Sequence, residues 1–338
     1  MVSVGILGAS GYAGAKLVSL LSCHPEVQLT WLGSHRFVGK KFSDLYPAML
    51  GLCDMPFRED SVPEASLLCD VLFLALPAGI AGTEVNETVL RRCVVIDLGA
   101  DFRLHDGSTY ETWYHLPSPS SSLLQEAVYG LPELHREAIR HAHLIANPGC
   151  YTTTSILSLK PVIPFVDQKS IIIDAASGVS GAGRSEKTAS LFCECNESMK
   201  AYGVGNHRHT PEIEQELGFG VMVQFTPHLA PMTSGILATC TANLKDGITE
   251  EMVDEAYHKF YDGEKCIRLY PSASAVESRF VLGSNSVAIG WTIDERTGRV
   301  IVCGALDNLY KGAAGQAVQN MNIRLSFPET EGLSLCNL

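Results

Sequence analysis

The chain has 338 residues, enough for two domains with sizeable cores at roughly 100–200 residues each. Apolar residues make up 46% and charged residues 18%, which excludes a disordered chain. Asp and Glu total 37 against 25 Lys and Arg, a net charge of −12, so no nucleic acid or anionic membrane surface is expected as partner.

Residues 2–7 read as a strand and 13–23 as a helix that His24-Pro25 ends. Further strands are expected at 27–32, 70–75, 93–98 and 144–146, with helical stretches between them. That alternation predicts a parallel α/β sheet of Rossmann type over residues 1–148. The second half changes character. Residues 170–176, 220–226, 236–244, 286–293 and 300–306 are strand-like, with helices at 211–217 and 252–261. This predicts an α+β domain over 149–306 with a mainly antiparallel or mixed sheet. A Gly-rich helix at 310–322 follows, and the tail 307–338 is expected to return to the first domain. No run reaches the roughly 18 apolar residues of a membrane span, and no basic leader opens the chain. The eleven Cys point to reduced thiols and a cytoplasmic location. Cys23, Cys53, Cys69, Cys93, Cys240 and Cys303 stand among apolar neighbours and read as core filler.

Between the first strand and helix lies Gly8-Ala9-Ser10-Gly11-Tyr12-Ala13-Gly14, spaced G-x-x-G-x-x-G. Glycines permit the tight turn and let a pyrophosphate approach the free N–H groups of the helix. An NAD-specific site has an acid about 20 residues on, for the ribose 2′-OH. Here the second strand ends Gly33-Ser34-His35-Arg36. Arg36 suits a 2′-phosphate and Ser34 can donate to it, so NADP(H) is expected.

Cys150 follows Asn147-Pro148-Gly149 at the start of an apolar helix, where N–H dipoles favour a thiolate. From spacing alone a structural Cys fits as well. Asn206-His207-Arg208-His209-Thr210-Pro211 brings two imidazoles before a helix, with Thr210 as its cap. Cys193-x-Cys195 and His207-x-His209 are spaced too tightly for zinc, so no metal is expected.

Taken together, several runs resemble the N-acetyl-gamma-glutamyl-phosphate reductase family, of the aspartate-semialdehyde dehydrogenase superfamily. They are GASGYAG at 8–14, DLGADFR at 97–103, YGLPE at 129–133, NPGCYTT at 147–153 and SGVSGAG at 177–183. HRHTPEI at 207–213, FTPHL at 225–229 and DNLYKGAAGQ at 307–316 complete the set. The resemblance implies NADPH-dependent reduction of a small anionic acyl phosphate to an aldehyde, in arginine biosynthesis. It makes Cys150 the thiolate and His209 the proton donor, with His207 as neighbour or substrate ligand. It also implies that Arg103 and Asn147 meet the substrate. Ser177, Gly178 and Gly181 would line the cofactor with Pro77, Gly79 and Gln316, and a homodimer or homotetramer is expected. Two departures stand out. Ser234 and Ala78 occupy positions where the family has a basic residue and His; Arg184 or Arg208 could compensate for the first. A sister reductase acting on aspartyl or aminoadipyl phosphate is the nearest alternative, and a non-enzymatic NADP-binding regulator the more distant one.

Overall fold

The computed structural model describes residues 1–337 as two compact units. Unit 1 comprises Met1–Pro148 and Ala313–Leu333, and unit 2 comprises Gly149–Gly312 and the residues from Ser334 on.

Unit 1 is built on six strands: β1 (Val2–Leu7), β2 (Val27–Leu32), β3 (Val71–Leu74), β4 (Val94–Asp97), β5 (Val128–Tyr129) and β6 (Leu144–Ala146). Their order is β2-β1-β3-β4-β6-β5, and every neighbouring pair is parallel. β3 and β4 are buried along their whole length, as the two covered faces of a parallel sheet require. On one face, α1 (Tyr12–Leu21) contributes Leu17, Val18 and Leu21 to the core. Ala317, Val318 and Met321 of the C-terminal helix (Gly315–Arg324) join the same cluster. The Ala-rich composition of that segment reflects close packing. The return to unit 1 starts at Ala313 rather than 307, and residues beyond Leu333 leave it again. There Asn285 N–H bonds Ser334 O at 2.7 Å and Ser286 Oγ donates to Leu335 O at 2.7 Å. Tyr310–Ala314 is a π-helical turn, so the helix expected from 310 becomes regular only at Gly315.

Unit 2 carries β7 (Ile171–Ser177), β8 (Lys200–Ala201), β9 (Val223–Leu229), β10 (Ile236–Asn243), β11 (Ile267–Tyr270), β12 (Val287–Asp294) and β13 (Arg299–Leu306). The order is β11-β12-β13-β10-β7-β9-β8, a mixed sheet in which β11/β12 and β7/β9 are parallel and the other pairs antiparallel. β9 begins three residues later than expected because Gly218 and Gly220 adopt positive φ and form a turn first. Along β10, Ile236, Ala238, Cys240 and Ala242 are buried, and the intervening Leu237, Thr239, Thr241 and Asn243 are half-exposed. The helix Cys150–Leu159 lies on the buried face. Glu250–Phe260 joins it there through Tyr257, whose OH donates to Ser158 O at 2.5 Å and whose ring stacks on Trp291 at 4.1 Å. On the opposite face the short helical turns Ala273–Ala275 and Ser278–Val281 cover the β12–β13 end, and Ile172, Thr241 and Ile301 are half-exposed.

Cys53, Cys69, Cys93 and Cys240 are buried, and burial pushes the Cys93 thiol up to about 12. Cys23 is exposed instead, and Cys303 is half-exposed at the margin of the cluster formed by Val276, Val281, Ala288 and Ala305. No helix among the described residues is long and apolar enough to cross a membrane.

Candidate active site

In unit 1 the turn between β1 and α1 forms as its glycines dictate. Gly8 has φ +73°, and a Cβ there would overlap Ala75 O. α1 starts at Tyr12 behind Gly11, which offers no side-chain cap, so its first N–H groups stay open to an anion. Ala13 is half-buried and Gly14 buried against the turn. Tyr46 OH donates to Ser10 O at 2.8 Å and Ser34 Oγ donates to Ser10 Oγ at 2.9 Å. Ser34 is 1% exposed and its hydroxyl is joined to Ser10 of the turn. Arg36 is exposed on the loop after β2. Pro77 is exposed beyond β3. A glycine cradle, an uncapped helix start and an open Arg together fit a dinucleotide carrying a 2′-phosphate.

One contributor was missed. Asp60 Oδ1 accepts the Gly8 N–H at 2.8 Å from 52 residues away, and burial raises its pKa. No local spacing announces such a partner.

The run 97–103 braces unit 1. Asp101 Oδ1 accepts from Gly79 N–H at 2.7 Å and Tyr110 OH at 2.8 Å, while Oδ2 accepts from Gly82 N–H at 2.8 Å. The loop after β3 is thereby held in shape. Asp97 is fully buried, and burial with the nearby Asp101 charge pushes its carboxyl up to about 7. Arg103 is 7% exposed and donates through Nε to Asn147 O and through Nη2 to Leu98 O, both at 2.8 Å. Asn147 is 1% exposed; its Nδ2 donates to Ala313 O and its Oδ1 accepts from Asn320 Nδ2, each at 3.1 Å. Both side chains thus brace unit 1. Gln316 is fully buried in its helix.

In unit 2, Cys150 is the first residue of its helix, half-buried, behind an extended Gly149 that supplies no side-chain cap. Gly312 lies against it: a Cβ on Gly312 would stand 2.8 Å from Cys150 Cβ. The next residue, Tyr151, packs its ring against His207 at 5.8 Å, His209 at 6.0 Å and Phe225 at 5.4 Å. The two imidazoles are 4.8 Å apart. Cys150 and both His residues thus share one corner of unit 2. His207 Nδ1 accepts the His209 N–H at 3.2 Å. Burial, reinforced by the Arg208 charge, drops the His207 pKa to about 4, so this ring is neutral near pH 7 and Nδ1 is occupied as an acceptor. His207 is therefore a poor proton donor near pH 7. His209 also takes the N-cap position expected of Thr210, with Pro211 still in the first turn.

The run 177–183 is stapled to the departure at Ser234. Val179 N–H bonds Met232 O at 2.9 Å, Ser180 N–H bonds Thr233 O at 3.0 Å, and Gly178 N–H bonds Gly235 O at 2.9 Å. Ser180 Oγ lies 3.2 Å from Ser234 Oγ, and Asn308 joins both strands of the staple. Ser177 and Gly178 are buried, whereas Gly181, Arg184 and Arg208 are exposed.

Two family models match. Residues 3–142 fit the semialdehyde dehydrogenase NAD binding domain, and residues 150–308 the semialdehyde dehydrogenase dimerisation domain. N-acetyl-gamma-glutamyl-phosphate reductase of Lachnospira eligens is 50% identical over 99% of both chains. The protein of that name from Campylobacter jejuni is 52% identical over 98% of both, and that of Moorella thermoacetica 48% over 100% of this chain and 99% of its own. Among solved structures, aspartate semialdehyde dehydrogenase II of Vibrio cholerae, complexed with ASA, superposes with a TM-score of 0.71 at 20% identity, covering 96% of this chain and 98% of its own. The Candida albicans aspartate semialdehyde dehydrogenase with NADP gives 0.69 at 18%, with coverage of 96% and 98%. At those identities the likeness concerns the fold.

Proposed function

The chain belongs to the N-acetyl-gamma-glutamyl-phosphate reductase family, and we propose that Cys150 and His209 carry its reaction. That reaction is the NADPH-dependent reduction of N-acetyl-gamma-glutamyl phosphate to N-acetylglutamate 5-semialdehyde, a step of arginine biosynthesis. The observation that supports this assignment is the placement of Cys150 at a helix start, with Tyr151 packed on both His rings.

His209 takes the thiol proton as Cys150 Sγ attacks the acyl carbon. The carbon–oxygen bond to phosphate breaks, the proton leaves with the phosphate, and a thioester remains on Cys150. NADPH, when bound, supplies the hydride that reduces this thioester. Backbone N–H groups at the start of the Cys150 helix face the developing oxyanion. The thiohemiacetal collapses by expelling Cys150 thiolate, which releases the aldehyde and regains a proton through His209. The Gly8–Gly14 turn would hold the pyrophosphate, and Arg36 would pair the 2′-phosphate. Arg103 would meet an anionic end of the substrate, with exposed Arg184 or Arg208 making up for Ser234.

The chain carries a dimerisation domain, and we assign the self-association surface to the half-exposed part of the unit 2 sheet, around Ile172, Thr241 and Ile301. A homodimer or homotetramer fits it. All eleven Cys are free, which suits a reducing cytoplasm.

The test is NADP+-linked oxidation of N-acetylglutamate 5-semialdehyde in inorganic phosphate. Cys150→Ser is expected to abolish turnover while NADPH binding persists, and mass analysis of the parent should find an acyl adduct on Cys150. Substantial turnover by the Ser variant would overturn the assignment. Faster turnover of the aspartyl or aminoadipyl analogue would redirect the substrate.

A further inference from the structure

Glu212 stands on the helix Thr210–Leu217, three residues after His209, and is 1% exposed. A carboxylate so buried needs partners, and it finds them at the start of another helix. Its Oε1 accepts the Gly149 N–H at 3.0 Å and lies 2.8 Å from Thr152 Oγ1. Thr152 Oγ1 in turn lies 2.6 Å from Gly149 O. Gly149 precedes Cys150 and has no side chain with which to cap the helix. The cap comes from Glu212 instead, from 63 residues away, with its carboxylate at the positive end of the helix.

We propose that Glu212 is a positioning residue that fixes Cys150 relative to His209. The inference rests on the catalytic reading of those two residues and adds the device that holds them. The path is short and stiff: Cys150 is bonded to Gly149, Gly149 N–H is held by Glu212, and one helical turn separates Glu212 from His209. The Thr152 contact to the same oxygen keeps the carboxylate from rotating away.

The experiment compares Glu212→Ala, Glu212→Gln and Glu212→Asp with the parent in NADP+-linked semialdehyde oxidation, with melting temperature measured in parallel. Gln keeps an acceptor oxygen at the same reach, and Asp keeps the charge but falls short by one methylene. A misplacement of about 1 Å costs on the order of 10²-fold, so kcat should fall by about that factor in the Ala variant, with KM for NADP+ unchanged. Gln should recover most of the loss and Asp little of it. The rate of Cys150 alkylation by iodoacetamide should change in Ala and Asp and stay near the parent value in Gln. Parent-like kcat and alkylation in Ala or Asp would overturn the proposal, even with a lower melting temperature. A Gln variant as impaired as Ala would overturn it too, because charge rather than placement would then matter. If Ala fails to fold, the Gln and Asp pair decides. If the parent itself shows no turnover, or Cys150→Ser retains it, the functional reading fails. The alkylation ratios then still test the placement.

Discussion

Replacing Gly312 by Ala tests how closely the reactive sulfur is held. The added methyl would stand 2.8 Å from Cys150 Cβ, 3.1 Å from Leu306 Cδ1 and 3.2 Å from Asp307 O. Carbon atoms rest about 3.5–4.0 Å apart, so roughly 0.7–1.2 Å must be found. Leu306 belongs to a fully buried strand end and Asp307 O is backbone, so neither yields readily. Cys150 is the first residue of its helix and gives way. A shift of about 1 Å in a reacting atom costs on the order of 10²-fold, or about 2.7 kcal/mol of barrier. Stability should change less. Overpacking costs about 1–3 kcal/mol, while Ala in place of Gly within a helical turn returns up to about 1 kcal/mol. The assay is kcat for semialdehyde oxidation with phosphate, set beside the melting temperature and the KM for NADP+. A kcat within about threefold of the parent would refute the claim that this contact sets the position of Cys150.

Two further outcomes are expected. Arg36→Ala should raise the KM for NADPH by about 10–100-fold, as loss of a charge-assisted pair worth about 1.5–3 kcal/mol implies, and barely alter that for NADH; equal effects on both would remove Arg36 from the 2′-phosphate site. For His207, the folded pKa of about 4 lies below the unfolded value of about 6.5. The unfolded chain therefore binds the proton first as pH falls, and stability is lost between about 6.5 and 4, by up to about 3 kcal/mol. His207→Gln should show a shallower fall in melting temperature over that window, and identical slopes would exclude burial of a neutral ring.

Local chemistry explains what the sequence could reveal. The Gly8–Gly14 turn and the Cys150 helix start are each specified within a few consecutive residues, so both could be read. The helix Gly107–Tyr114 was also readable in principle, since Asp106 caps it by accepting from Ser108 and Thr109 N–H, yet its weak apolar pattern hid it. β5 has two residues and β8 has two, too short for any period to register. Asp60, Glu212 and Gly312 were invisible in a different way. Each acts on a partner far along the chain, and the pairing exists only once the fold has brought them together. The bracing contacts of Arg103 and Asn147 were equally hidden. Nothing in residue type distinguishes an anion ligand from a brace for backbone carbonyls; burial and partners do.

The path of the C-terminal segment has a consequence for synthesis on the ribosome. Ala314, Ala317, Val318 and Met321 belong to the core that α1 and β1 bury, yet they are translated after the Gly149–Gly312 part of unit 2. The nascent first unit therefore waits with one apolar face open while more than 160 residues emerge, since unit 2 from Gly149 to Gly312 must be made first. Until the last helix arrives, that face is a ready surface for chaperones or for misassembly between neighbouring chains.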